Sequence, residues 1–232
     1  MAATFSVLVL TAPPPGLGSE GGGAFVKIDG REALLRSVEL FLNRDNIKQI
    51  QLAILPDEME EAKRKYGAHL GFSGVKLING GPRWVDQLSA AAATISPDAT
   101  HVIVHDAARP AVPYSDIDAL LAEAEQHPAV ALTTPLRTTI IETDEGGNPV
   151  GSYPPQRYVQ LLTPQAFSKA KFADIAAAKA EVHPSQWKLI KGSPLNIRAG
   201  GPGEAGLIKT MINMLPKPKL KAPSSPFEEA QW

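Results

Sequence analysis

Cysteine is absent from the 232 residues. That excludes disulfides, thiolate metal sites and a cysteine nucleophile, and leaves the compartment open. Net charge is close to absent as well: 23 basic side chains face 24 acidic ones, for a formal charge of -1. No global basic field advertises nucleic acid or an anionic membrane surface. No apolar run approaches the ~18 residues that a membrane span needs. Residues Met1 to Leu10 carry a short apolar run but no basic leader segment and no small-residue cleavage site after it. A secretory signal is not expected, and a cytoplasmic location is the default. Internal repeats are missing too.

What is there reads as a globular α/β chain. Apolar residues make up 44% and charged residues 20%, enough to bury a sizeable core. Short apolar runs at Ser6–Leu10, Ile50–Leu55, Val75–Ile78, His101–His105, Val130–Thr134 and Lys188–Ile190 predict strands. Between them, Arg31–Leu42, Pro56–Tyr66, Val85–Ile95, Ser115–Gln126, Phe167–Glu181 and Gly203–Met214 predict helices, with Ser115 as an N-cap. Strands alternating with helices imply βαβ units and a mainly parallel sheet of Rossmann-like type. Residues 137–162 break the rhythm. Thr138–Glu142 is β-branched, Asp144-Glu-Gly-Gly-Asn148 is a turn, and Val150–Tyr153 can return as a partner strand. This is a hairpin signal, an arm leaving the domain. One domain over 1–215 is expected. The Pro/Lys-rich tail 216–232 is expected to be extended or disordered, either an unfolded end or an interaction arm.

In an open α/β sheet, ligands sit beyond the carboxyl ends of the strands. Three segments lie there: the Gly/Pro cluster 11–23, Gly80-Gly81 and Asp106. A glycine-rich loop after the first strand can turn backbone N–H groups toward a phosphate. This one matches neither the Walker pattern nor GxGxxG. Asp106 ends an apolar strand within His105-Asp-Ala-Ala-Arg-Pro110. A carboxylate there can hold Mg²⁺ beside nucleotide phosphates, or can simply cap the turn. His101 and His105 share a strand face but make a poor metal pair, with no further histidine near in sequence. Arg109 can bind substrate or pair across the loop.

The six residues His105–Pro110 resemble the signature of the 2-C-methyl-D-erythritol 4-phosphate cytidylyltransferase family. Thr163-Pro-Gln165, Gly192-Ser-Pro-Leu-Asn-Ile197, Gly80-Gly81 with Asp86, and Pro135-Leu-Arg-Thr-Thr139 follow in the family's order over residues 5–215. The resemblance implies a Rossmann-like nucleotidyltransferase fold with a protruding β-arm that forms a homodimer. It also implies a reaction of isoprenoid precursor formation. A substrate phosphate oxygen attacks the α-phosphate of CTP, pyrophosphate leaves, and Mg²⁺ sits near the signature Asp. Carried over by position, Asp106 and Arg198 would be catalytic, with Asp106 as metal ligand. Ala12, Gly16, Gly18, Gly80, Gly81, Asp86 and Ala107 would hold the nucleotide. Arg109, Thr139, Arg157 and Thr163 would hold the substrate. CTP and a phosphorylated small molecule are the implied partners.

Several family positions depart. The family's loop carries an Arg and then a Lys, whereas this chain has no basic residue before Lys27 and reads Gly22-Gly23-Ala24. Pro13 to Pro15 remove N–H donors from that loop. Gln87 stands where the family has a Ser thought to contact the cytidine. Pro155 replaces an expected Arg, and the Thr-Asp-Glu segment after Thr163 is missing. The late Lys becomes Arg198, which keeps charge but not shape. Nucleotidyl transfer builds negative charge on phosphate oxygens, and one lost positioned cation costs about 10²–10³ in rate. Catalysis is therefore expected to be lost or strongly altered. The alternatives are an active nucleotidyltransferase with cations supplied from elsewhere, and a non-catalytic dimeric scaffold that binds nucleotide or another phosphorylated ligand.

Overall fold

The computed structural model describes residues 2–15 and 22–215. The expectations for Gly16, Gly18 and the tail 216–232 lie outside the described residues. In chain order the strands are β1 Phe5–Leu10, β2 Lys27–Ile28, β3 Arg31–Glu32, β4 Ile47–Ile54, β5 Val75–Asn79, β6 His101–Asp106, β7 Ala129–Pro135, β8 Ile140–Thr143, β9 Pro149–Tyr153, β10 Val159–Ser168 and β11 Lys188–Lys191. The helices are α1 Ala33–Glu39, α2 Met59–Phe72, α3 Trp84–Ala92, α4 Tyr114–Ala124, α5 Lys169–Ala178 and α6 Ala205–Met214.

The main sheet runs β11-β7-β10-β6-β1-β4-β5. Every residue of β1 is buried, and it pairs in parallel with β4 on one side and β6 on the other. A strand covered on both faces reads as a continuous apolar run, which is why β1 and β6 were legible. One face of the sheet packs Val7, Val9, Leu52 and Ile103 under α1, α2 and α4, with Leu34, Leu70 and Leu120 in the same core. The other face packs Leu8, Leu10, Val102 and Val104 against Leu88 and Phe172 of α3 and α5. A smaller cluster joins Ile28, Ala108, Ala199 and Ile208, and it fastens α6 to the loops at the strand ends.

Four expectations change. The sequence pattern does not predict β10 as a strand. It runs antiparallel between β6 and β7, with its register broken between Leu161 and Gln165. The helix expected from Phe167 therefore starts at Lys169, capped by Ser168, whose Oγ accepts the Lys171 N–H at 3.2 Å. The helix expected from Arg31 starts at Ala33, because Arg31–Glu32 pair with Lys27–Ile28 in a small hairpin. α4 begins at Tyr114 behind an extended Pro113, so Ser115 is inside the helix and does not cap it. Within 137–162, Val159–Leu162 belong to β10, and the expected hairpin is β8–β9, an antiparallel pair separate from the main sheet. Its turn is closed by the Asp144 carboxylate, which accepts the N–H groups of Gly146 and Asn148 at 2.9 and 2.8 Å.

Candidate functional site at the carboxyl ends of the strands

Asp106 closes β6, and its side chain is 1% exposed. Its Oδ1 accepts the Ala108 N–H at 2.9 Å, and its Oδ2 accepts Arg198 Nε–H at 2.8 Å. Arg109 Nε stands 3.7 Å from the same Oδ2. Burial pushes the Asp106 carboxyl up from its ordinary value, while Arg198, the Ala108 N–H and Arg109 pull against that. Arg109 is itself pushed down by burial, partly offset by Asp106. Arg109 Nη1 donates to the Asn196 carbonyl at 2.8 Å, and Asn196 Nδ2 donates to the Thr163 carbonyl at 2.7 Å. Chain segments far apart in sequence are thus laced to one carboxylate.

Behind it, Asp106 N–H donates to Thr163 Oγ at 3.1 Å, and that hydroxyl lies 3.2 Å from His105 Nδ1. His105 Nε2 lies 3.1 Å from the Arg109 carbonyl. One tautomer satisfies the whole chain: Nε2–H donates to Arg109, and Nδ1 accepts from Thr163. Burial holds His105 down at about 3, so it is neutral and structural. Its ring also meets Phe41 edge-on, at 5.3 Å between centroids. The Thr163 hydroxyl, carried over as a substrate contact, is held inside this network and positions Asp106.

The nucleotide-side residues divide in the same way. Ala107 N–H donates to the Leu10 carbonyl at 2.8 Å, and its carbonyl accepts from Ser37 Oγ at 2.8 Å. Its main chain serves the fold. Asp86 is clasped by Arg83 at 2.7 and 2.8 Å and approached by Lys179 at 3.6 Å. Hydrogen bonding to Arg83 draws the Asp86 carboxyl below its ordinary value. The fully buried Gln87 was singled out from the sequence only as a departure. It binds Thr11 and Ala12 N–H, and so reaches the loop after β1. Gly23 crosses the other side of the site. A Cβ built there would fall 1.7 Å from the Ala199 carbonyl oxygen, so only glycine allows this approach. Gly22–Phe25 forms a 3-10 turn with no basic residue in it.

Asp106, Arg109, Thr163 and Arg198 therefore come together, while Thr139 and Arg157 are exposed at the base of the arm. Arg157 is six residues from Thr163 along the chain, up to about 20 Å when extended. A cavity of about 420 Å³ opens beside Arg109 and Thr163, walled by Trp84, Leu88, Phe167 and Trp187. That is room for a small molecule.

Among the described residues, the protein's own side chains do not assemble a Mg²⁺ cage around Asp106. Both Asp106 oxygens are engaged by nitrogen donors, and two guanidiniums neutralise the carboxylate. Among the described residues, no group of three carboxylate or imidazole ligands is assembled. A magnesium ion held by one carboxylate would draw its remaining oxygens from substrate phosphates and water. In this structure the partner of Asp106 is Arg198, which a metal at that carboxylate would have to displace.

Among the described residues, no helix is long and apolar enough to cross a membrane. The family model described as 2-C-methyl-D-erythritol 4-phosphate cytidylyltransferase matches residues 12–196. A relative of that name from Frankia casuarinae is 33% identical over 162 residues, 68% of this chain and 59% of its own length. One from Rhodopirellula baltica is 26% identical over 221 residues, covering 84% of this chain and 89% of the relative. The crystal structure of the protein of that name from Thermus thermophilus superposes with a TM-score of 0.69 at 20% identity, over 89% of this chain and 98% of that one. At that identity the superposition speaks for the fold.

Proposed function

Because the chain belongs to the 2-C-methyl-D-erythritol 4-phosphate cytidylyltransferase family, we propose that it binds a nucleoside triphosphate and a phosphorylated acceptor around Asp106, with transfer lost or strongly slowed. The reaction at issue is balanced by its own substrates. An acceptor phosphate oxygen forms a bond to the α-phosphorus, the bond from that phosphorus to the bridging oxygen breaks, and the electron pair leaves with pyrophosphate.

One observation carries the reading: each guanidinium brought to the site already gives an N–H to the protein itself. Arg198 Nε–H is given to Asp106, and Arg109 Nη1–H to the Asn196 carbonyl. A transition state gaining charge on phosphate oxygens needs donors aimed at it before it forms. Guanidiniums held by a buried carboxylate and by main chain must reorganise first. The described part of the loop after β1 adds no cation. The alternative of an active enzyme is favoured by Arg198 itself, a permanent cation 2.8 Å from the signature carboxylate.

The arm supports a dimer. Ile141 and Val150 are each at least half exposed on it. A second copy is the occupant we propose for that apolar strip, which would bring Thr139 and Arg157 toward a neighbouring site.

Pyrophosphate release from CTP and methylerythritol phosphate with Mg²⁺ tests the assignment, run beside the Thermus protein. The expected rate is at least about 10²-fold lower than that protein's, and Asp106→Ala removes what remains. A rate comparable to the Thermus protein contradicts the slowing. Calorimetry that finds no binding of either substrate contradicts the assignment itself.

A further inference from the structure

Gln87, in the first turn of α3, is fully buried and lies across the ends of β1 and β5. Its Oε1 accepts the Thr11 and Ala12 N–H groups at 3.1 and 3.2 Å. Its Nε2 donates to the Gly81 carbonyl at 3.1 Å and to Thr11 Oγ at 3.3 Å. The Thr11 hydroxyl can accept, because its own proton goes to the Ala53 carbonyl at 2.9 Å. Turning the amide over would set NH₂ against two N–H donors and C=O against a carbonyl, so the network fixes its orientation. Gly80 makes the placement possible. A Cβ there would come within 2.7 Å of Gln87 Cγ.

Thr11 and Ala12 follow the last residue of β1, and Gly81 lies just past β5. This is the crevice in which open α/β sheets hold ligands. Its main chain offers two N–H donors and one carbonyl acceptor, converging from two strand ends. The complement is one group that accepts twice and donates once. A carboxamide has it, and so does the edge of cytosine, with O2 and N3 accepting and the exocyclic amine donating. Uracil places an N–H donor in the middle of its edge and does not match.

We propose that Gln87 occupies the base-reading position of this site with its own carboxamide, so that the protein holds nucleotides by sugar and phosphates and does not select cytosine. The inference rests on the nucleotide site proposed above and names its specificity determinant. Buried on all sides and making four hydrogen bonds, the amide is displaced by a base only if an equal set of bonds is remade and a place is found for the freed side chain.

Calorimetric titration of tripolyphosphate, CTP, UTP and ATP, each with Mg²⁺, into the wild-type protein and Gln87→Ser tests it. The wild type is expected to bind CTP and UTP within about threefold of each other. Gln87→Ser frees the three main-chain groups and is expected to favour CTP over UTP by about 5- to 100-fold. A wild-type preference for CTP beyond about threefold, or a Gln87→Ser variant with an unchanged CTP/UTP ratio, overturns the proposal. Should Gln87→Ser fail to fold, the wild-type ratio decides alone. If tripolyphosphate and all three nucleotides fail to bind both forms, the nucleotide reading of the site falls and this inference with it. If they bind and CTP is preferred in the wild type, only the role of Gln87 falls.

Discussion

His105 carries no charge in the folded protein, because burial holds its imidazole at about 3 while Thr163 and Arg109 fill both ring nitrogens. In the unfolded chain a histidine titrates near ~6.5. The folded value is the lower one, so the unfolded state binds the extra proton between the two. The stabilisation is complete above the unfolded value and is lost as pH falls below it. Between pH 8 and pH 5 this residue should cost the wild type about 2 kcal/mol that His105→Asn does not lose. Urea unfolding of both proteins at the two pH values checks it, since the stability gap between them should narrow at acid pH; parallel curves contradict the reading. The Asp106–Arg198 pair lends itself to a double-mutant cycle. Removing one partner leaves the other charged and buried, so Asp106→Asn or Arg198→Met alone should each cost ~3 kcal/mol. The double variant should cost clearly less than the sum. Additive losses would show that the two side chains do not stabilise each other.

The turn Gly22–Phe25 and the loop at Ala199 are held in contact by the absence of one methyl group. Gly23→Ala drives a Cβ into the Ala199 carbonyl and should cost about 1–3 kcal/mol as overpacking. Gly201→Ala, with nothing within 4 Å of the added carbon, should stay within about 0.5 kcal/mol of wild type. Thermal or urea midpoints of the two variants give the comparison; equal effects would contradict the close crossing. The elements also show what a sequence can and cannot carry. β1 and β6 are buried on both faces and announced themselves as unbroken apolar runs. β10 did not. Its residues Val159–Leu161 are exposed, Pro164 interrupts the ladder, and Gln160, Thr163 and Gln165 break the apolar pattern. A proline in mid-run argues against a central strand, yet here it falls where the register shifts. Ser115 looked like a cap by residue type. Pro113 took the place, because its extended backbone turns directly into the helix.

As a whole molecule, the protein is an open seven-stranded sheet with helices on both faces and a β8–β9 hairpin whose Ile141 and Val150 are exposed among the described residues. Substituting Ile141→Lys and Val150→Lys on that arm should shift sedimentation from dimer to monomer with the far-ultraviolet spectrum unchanged; a wild type that sediments as a monomer contradicts the proposed dimer. The fold was legible because strand and helix signals alternate in an order that few topologies satisfy. The site was legible only as a list of residues. That Asp106, Arg109, Thr163 and Arg198 meet follows from resemblance. That Arg198 bonds to Asp106 across 92 positions, and Gln87 to Thr11 across 76, is set by tertiary packing and leaves no local pattern. These two contacts define the account: the groups that should face a nucleotide are turned inward on the protein itself. A crystal structure of the protein soaked with CTP and Mg²⁺ reads both at once. The triphosphate should lie at the carboxyl ends of the strands with Arg198 still on Asp106 and Gln87 still on the Thr11 and Ala12 amides. A magnesium ion bridging Asp106 to the α-phosphate, with Arg198 swung onto the phosphate and cytosine in place of the Gln87 amide, would contradict it.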